Sequence, residues 1–184
     1  LASLPTGRYR NGREVYLAHQ RCPDTFASFA KDHPSMLLAF GMLPGRSIDR
    51  AVMSATYDAV LESWDFASSW GWDFPSMAMT AARLGRPKDA VDALLMETPK
   101  NTYLPNGHNA QLSLPSGTEA DSAAGSPSLI FTTRLPIYLP GNGALLLATG
   151  MMASGWDGDG NVPAPGFPND GSWTVAVEGI GKLP

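Results

Sequence analysis

Four groups of residues carry types and spacings that can do chemistry. Glu14 follows a glycine-bounded loop, Gly7 to Gly12, and stands between Tyr9 and Tyr16. A carboxyl group among aromatic rings has its charged form desolvated, which raises its pKa and suits a general acid; the plainer reading is a surface glutamate paired with Arg10 or Arg13. The second group is Trp70-Gly71-Trp72-Asp73-Phe74-Pro75. Two indoles around a glycine, beside an acid, make a stacking platform for a sugar with an acceptor for its hydroxyls, unless Asp73 only caps a helix and the indoles only pack. The third is Asn106-Gly107-His108-Asn109-Ala110-Gln111, where amides and an imidazole crowd into six residues. His108, Asn109 and Gln111 can read ligand hydroxyls, although Asn-Gly is itself a turn signal. The fourth is Tyr138-Leu139-Pro140-Gly141-Asn142-Gly143, with Asn142 placed as an N-cap.

No metal site or cofactor is expected. His33 precedes Pro34, and the three histidines lack ligand spacing. The glycines and aspartates of 155–160 resemble a calcium loop only faintly, without the bidentate glutamate of an EF-hand. No glycine loop fit to cradle a phosphate is present.

These groups need elements to position them. Ser47 reads as an N-cap, and Ile48, Ala51, Val52, Ala55, Ala59 and Val60 then form one apolar face, predicting a helix over 47–63. The apolar stretch 35–43 reads as a short buried helix that stops at Pro44-Gly45. Early prolines and a following glycine predict a helix over 75–84 and another over 87–97, joined by Gly85-Arg86 as an antiparallel hairpin. Periodicity then fails from 98 to 140, a length typical of a functional or disordered loop. The stretch 142–153 is apolar all round, hence expected to be a buried helix. Residues 173–177 alternate like one strand, which must pair with something.

The chain has 184 residues, of which 43% are hydrophobic and only 16% charged. That suits one globular domain, and 19 Gly and 16 Pro predict long ordered loops. A net charge of −4 argues against a nucleic-acid surface. No apolar run approaches the ~20 residues of a membrane span. Cys22 is the one cysteine, so an internal disulfide and a cysteine-built zinc site are out. The chain begins at Leu1 without a signal-peptide pattern and is expected to be a mature product or, better, a piece of something longer.

The order of segments carries a resemblance. Gly7-Arg8-Tyr9-Arg10-Asn11-Gly12-Arg13-Glu14-Val15-Tyr16, then His33-Pro34-Ser35, Leu43-Pro44-Gly45, Gly71-Trp72-Asp73, Ala82-Arg83-Leu84-Gly85 and Tyr138-Leu139-Pro140-Gly141-Asn142 run in sequence. Together they resemble the C-terminal half of six-hairpin glycosidases, nearest to the family 95 α-L-fucosidase group. The resemblance covers residues 4–155. It implies an all-α fold, helical hairpins of a partial (α/α)6 toroid over 1–155, with a Gly/Pro-rich tail over 156–184 leading by one strand to a β region. It implies a secreted or periplasmic glycoside hydrolase, inverting, acting on an oligo- or polysaccharide. The remainder of the barrel would come from more of the same chain or from another. By the same resemblance Glu14 matches the proton donor and Asn142 a site asparagine. The family's water-activating aspartate falls at Pro140, so the base lies elsewhere, is missing, or the reaction differs; Asp73 is the best acidic substitute within the motifs.

The expected site is therefore Glu14 and Asp73 as catalytic groups, with Tyr9, Trp70, Trp72, His108, Asn109, Gln111 and Asn142 on the substrate, all converging at one end of the helices. Two other readings stay open: a carbohydrate-binding toroid that has lost its base, and a helical interaction domain whose tryptophans only pack.

Overall fold

The structure is a computed structural model that describes residues 4–113 and 132–183. A β-hairpin opens it. β1 (Thr6–Arg8) pairs antiparallel with β2 (Glu14–Tyr16) in the register Thr6 to Tyr16 and Arg8 to Glu14. Asn11 and Gly12 close the turn in left-handed conformation, φ 60° and 73°, the chemistry an Asn-Gly pair supplies. Val15 and Tyr16 are buried against a long helix, α2 (Arg50–Ser63), where the Tyr16 N–H donates to Thr56 Oγ1 at 2.8 Å.

A single-turn helix, α1 (Thr25–Ser28), and a 3-10 turn (Ser35–Ala39) fill the interval before α2. The expected buried helix over 35–43 is thus only that turn. α2 starts later than its pattern predicts because Asp49, not Ser47, caps it. The Asp49 carboxylate accepts from the N–H groups of Ala51 and Val52, at 2.8 and 3.1 Å.

α3 (Asp73–Arg83) is the central element, buried along its whole length. Met77, Ala78, Met79, Ala81 and Ala82 join Met53, Tyr57 and Val60 of α2 in the core. Gly85, at φ +77°, ends α3, and Pro87 opens α4 (Pro87–Leu94), so the predicted helical hairpin forms. α5 (Leu139–Ser154) returns across α3 through Ala148, Met151 and Met152, followed by Trp156. No helix among the described residues is long and apolar enough to cross a membrane.

The all-α toroid does not describe this chain. The described residues form five helices and two small antiparallel sheets: β1–β2, and a second sheet of β3 (Thr102–Tyr103), β4 (Asn109–Ser113) and β5 (Thr132–Leu135). Among the described residues, only α3 and α4 are joined by a tight helical turn. Among the described residues of the stretch beyond 98, aperiodic by sequence, three short strands pair instead. These strands are two to five residues long and carry a register shift between Gln111 and Leu112, too short and irregular for an alternation to show.

Two further expectations are corrected. α5 is not buried all round: Leu139, Leu146 and Leu147 are exposed, Leu146 at 73%. Residues 173–177 form no strand and are mostly exposed. The tail is held at its end, where the Asp157 N–H donates to the Leu183 carbonyl and the Leu183 N–H to that of Gly155. Part of the Ser/Gly-rich excursion expected within 98–140 lies outside the described residues.

Candidate functional site

The 70–73 turn delivers three side chains to one place. Asp73 is the first residue of α3, but it does not cap that helix. Its carboxylate reaches back to accept the Trp70 N–H at 2.7 Å and lies 3.0 and 3.1 Å from His33 Nδ1, with 2% of the residue exposed. Burial pushes the Asp73 carboxyl above its ordinary value, opposed by the Trp70 N–H and by His33. An ionised Asp73 can only accept, so in that pair Nδ1 donates, and Nε2 is turned to Asp32.

His33 packs at a tilt against Trp72, with ring centroids 4.7 Å apart, and lies 6.1 Å from Trp70. Its Nε2 edge is 3.4 Å from Asp32 Oδ1. Asp32 sits at φ 62°, a left-handed conformation unfavourable for a residue with a Cβ. Three hydrogen bonds hold it there. Its N–H donates to Ser68 Oγ at 2.7 Å, and its carbonyl accepts from Trp64 Nε1 at 2.9 Å and Ser69 Oγ at 3.1 Å. Backbone strain fixed in this way often marks a working site.

The other wall is built from amides. Tyr138 packs on Trp70 at 5.5 Å, and its N–H donates to the Asn109 carbonyl. Burial first, and then the Asp73 charge, hold the Tyr138 phenol above its ordinary value. Asn109 is fully buried between Gly71 and Gly141: a Cβ at either glycine would come 2.0 or 2.5 Å from its Oδ1. Gln111 Nε2 donates to that Oδ1 at 2.8 Å, while Gln111 Oε1 is buried with no partner among the described residues. Asn142 lies in the first turn of α5 rather than capping it. Its Oδ1 accepts the Asn109 N–H at 2.9 Å and its Nδ2 donates to the Gly107 carbonyl at 2.8 Å. Lys100 Nζ stands 5.8 Å from the Trp70 ring centre.

Of the residues singled out by sequence, Trp70, Trp72, Asp73, Asn109, Gln111 and Asn142 form this connected cluster. His108 adjoins it in a turn closed on itself: its N–H donates to Asn106 Oδ1, and Gly107 adopts φ +82°. Glu14 and Tyr9 lie on the β1–β2 hairpin with other partners. Glu14 is exposed and accepts from Thr6 Oγ1 at 3.0 Å, because strand alternation sends it opposite to Val15. Tyr9 packs on Phe26 at 5.2 Å and lies under the guanidinium groups of Arg10 and Arg13. Arg13 itself grips Glu62 at 2.8 Å.

Sequence reasoning missed His33 and Asp32. The readable signal was slight: a lone histidine before a proline, preceded by an acid. Among the described residues no group of three or more His, Cys, Asp or Glu is placed to hold a metal ion. Asp159, in the segment with a faint calcium look, instead binds Lys182 Nζ at 2.7 Å. No protein-family model matches this chain, and no curated protein or solved structure matches it.

Proposed function

We propose that the cluster around His33 is a carbohydrate site and that this chain acts there as a glycoside hydrolase through acid–base chemistry. The supporting observation is an imidazole packed at a tilt on Trp72, held on one nitrogen by the buried Asp73 and faced on the other by Asp32. Half-buried indoles offer faces to the C–H groups of a sugar, and polar side chains around them take its hydroxyls. At Nε2, His33 can take a proton from a water, with the resulting imidazolium stabilised by Asp73. Asp32, exposed and 3.4 Å from Nε2, is the solvent-facing carboxyl group that can share with His33 the proton transfers hydrolysis needs. In this arrangement Asp73 is a positioning residue and Glu14 takes no part.

A second reading, binding without hydrolysis, is favoured by one fact. The buried acid of the cluster is already engaged by His33 and the Trp70 N–H, so it cannot itself reach a substrate. Turnover of a panel of aryl glycosides separates the two. Hydrolysis of at least one, reduced ~10²–10⁴-fold by Asp32→Asn and by His33→Gln with binding retained, supports the enzyme. Binding without turnover in the wild type selects the second reading. Absence of any saccharide binding refutes both.

A further inference from the structure

We infer that the cavity beside His33 is a subsite for a carboxylate-bearing sugar, with Arg21 and Lys31 meeting its acid group. The inference rests on the carbohydrate reading of the adjoining cluster. The cavity holds about 350 Å³, and His33 and Asp32 form part of its wall. That is near the lower end of the ~300–1,000 Å³ usual for ligand cavities, and it suits one monosaccharide ring.

Its lining is specific in two ways. Phe29, 52% exposed, and the buried Trp64 both line it, giving an apolar contribution for a ring. Arg21 and Lys31 both line this cavity, and among the described residues neither is in an ion pair. On a chain of net charge −4, that local excess is notable. The one carboxylate in the lining, Asp32, faces His33.

Local backbone bonds fix where both cations start. The Arg21 N–H donates to His19 Nδ1 at 3.2 Å, and the Cys22 N–H closes the turn onto the His19 carbonyl. The Lys31 N–H donates to the Phe29 carbonyl at 2.8 Å, and Lys31 bridges to Asp65 as an isolated strand pair. A neutral sugar can accept hydrogen bonds from these two donors but gains nothing from their charge. A uronate does gain: a guanidinium fork matches a carboxylate in geometry, and an ammonium adds a point charge beside it. His33 would then stand between the acidic ring and the indole platform, at the junction of two sugar positions.

The test is a titration of methyl β-D-glucuronide and methyl β-D-glucoside against the whole chain at low salt. It is run on the wild type and on an Arg21→Gln/Lys31→Gln double variant. The expected result is a ~3–10-fold preference for the glucuronide, lost in the double variant while glucoside affinity is unchanged. Equal affinities that the double variant leaves alone overturn the subsite but leave the carbohydrate reading standing. Acetate competing as well as the glucuronide also overturns it, because the charge alone would then be recognised. If neither glycoside binds, the carbohydrate reading itself fails, and the subsite with it.

Discussion

Replacing Asp73 separates what its hydrogen bonds do from what its charge does. In Asp73→Ala, the Trp70 N–H loses the acceptor it now has at 2.7 Å and His33 Nδ1 loses its partner at 3.0 Å, in a place where the acid is 2% exposed. A buried donor left without a partner costs ~1–3 kcal/mol. His33 is partly exposed and can turn to water, so the two losses together come to ~2–3 kcal/mol. For a domain of this size that lowers the melting temperature by ~4–10 °C. Asp73→Asn keeps one oxygen for the Trp70 N–H and removes a carboxylate whose ionisation burial disfavours. Its cost at neutral pH is therefore ~1 kcal/mol or less. The pH dependence has a definite sign. Because the folded pKa is raised, the fold binds this proton more tightly than the unfolded chain does. The contribution is complete below the unfolded value and lost as pH rises through the folded one. The Asp73→Asn protein lacks that term, so its stability relative to wild type falls on going from roughly pH 7 toward pH 4. Denaturant melts at several pH values measure all three proteins. Equal losses for Asn and Ala, or a wild-type advantage that grows with rising pH, would refute the reasoning.

Other consequences are as concrete. Gly71→Ala and Gly141→Ala each drive a methyl onto Asn109 Oδ1 and should cost ~1–3 kcal/mol; pairing Gly71→Ala with Asn109→Ala should cost less than the sum of the two, as a double-mutant cycle would show. Lys182→Ala leaves the Asp159 carboxylate, only 1% exposed, without its cation. Hydrogen exchange should then speed at the Asp157 and Leu183 amides, which tie the tail down, while α3 stays protected. Lys182 first of all holds the Asp159 carboxyl below its ordinary value, so this tie is present above the unfolded pKa and weakens as pH falls through the folded one. Glu14→Gln should change saccharide binding and turnover hardly at all and stability by under ~0.5 kcal/mol; a ~10²-fold loss of turnover would return Glu14 to the acid role.

How much could be read in advance depended on the range of the forces involved. α2, α3 and α4 were legible because a 3.6-residue apolar stripe, an early proline and a closing glycine are local signals. The shift of α2 from Ser47 to Asp49 came from a competition between two adjacent caps, won by the carboxylate. β3, β4 and β5 were hidden because Asn109 and Gln111 are buried polar residues whose bonds run to Lys100, Thr102 and each other, contacts no period encodes. The exposed leucines of α5 defeated the rule that an all-apolar helix is covered on every side. At the site, the clustering of Trp70, Trp72 and Asp73 followed from adjacency. His33 is forty residues from Asp73, and only the fold brings them together. Glu14 failed as a buried acid because it lies exposed on a short hairpin, bonded to Thr6, whatever its neighbours in sequence.

The central claim is that a saccharide binds against Trp70, Trp72 and His33. Its most direct test is an NMR titration that follows the indole N–H signals of the five tryptophans and the ring signals of His33. Saturable shifts of Trp70, Trp72 and His33, with Trp173 unmoved and the response abolished by Trp72→Ala, are the predicted result. Shifts spread evenly over all five indoles, or none at saturating sugar, would contradict it.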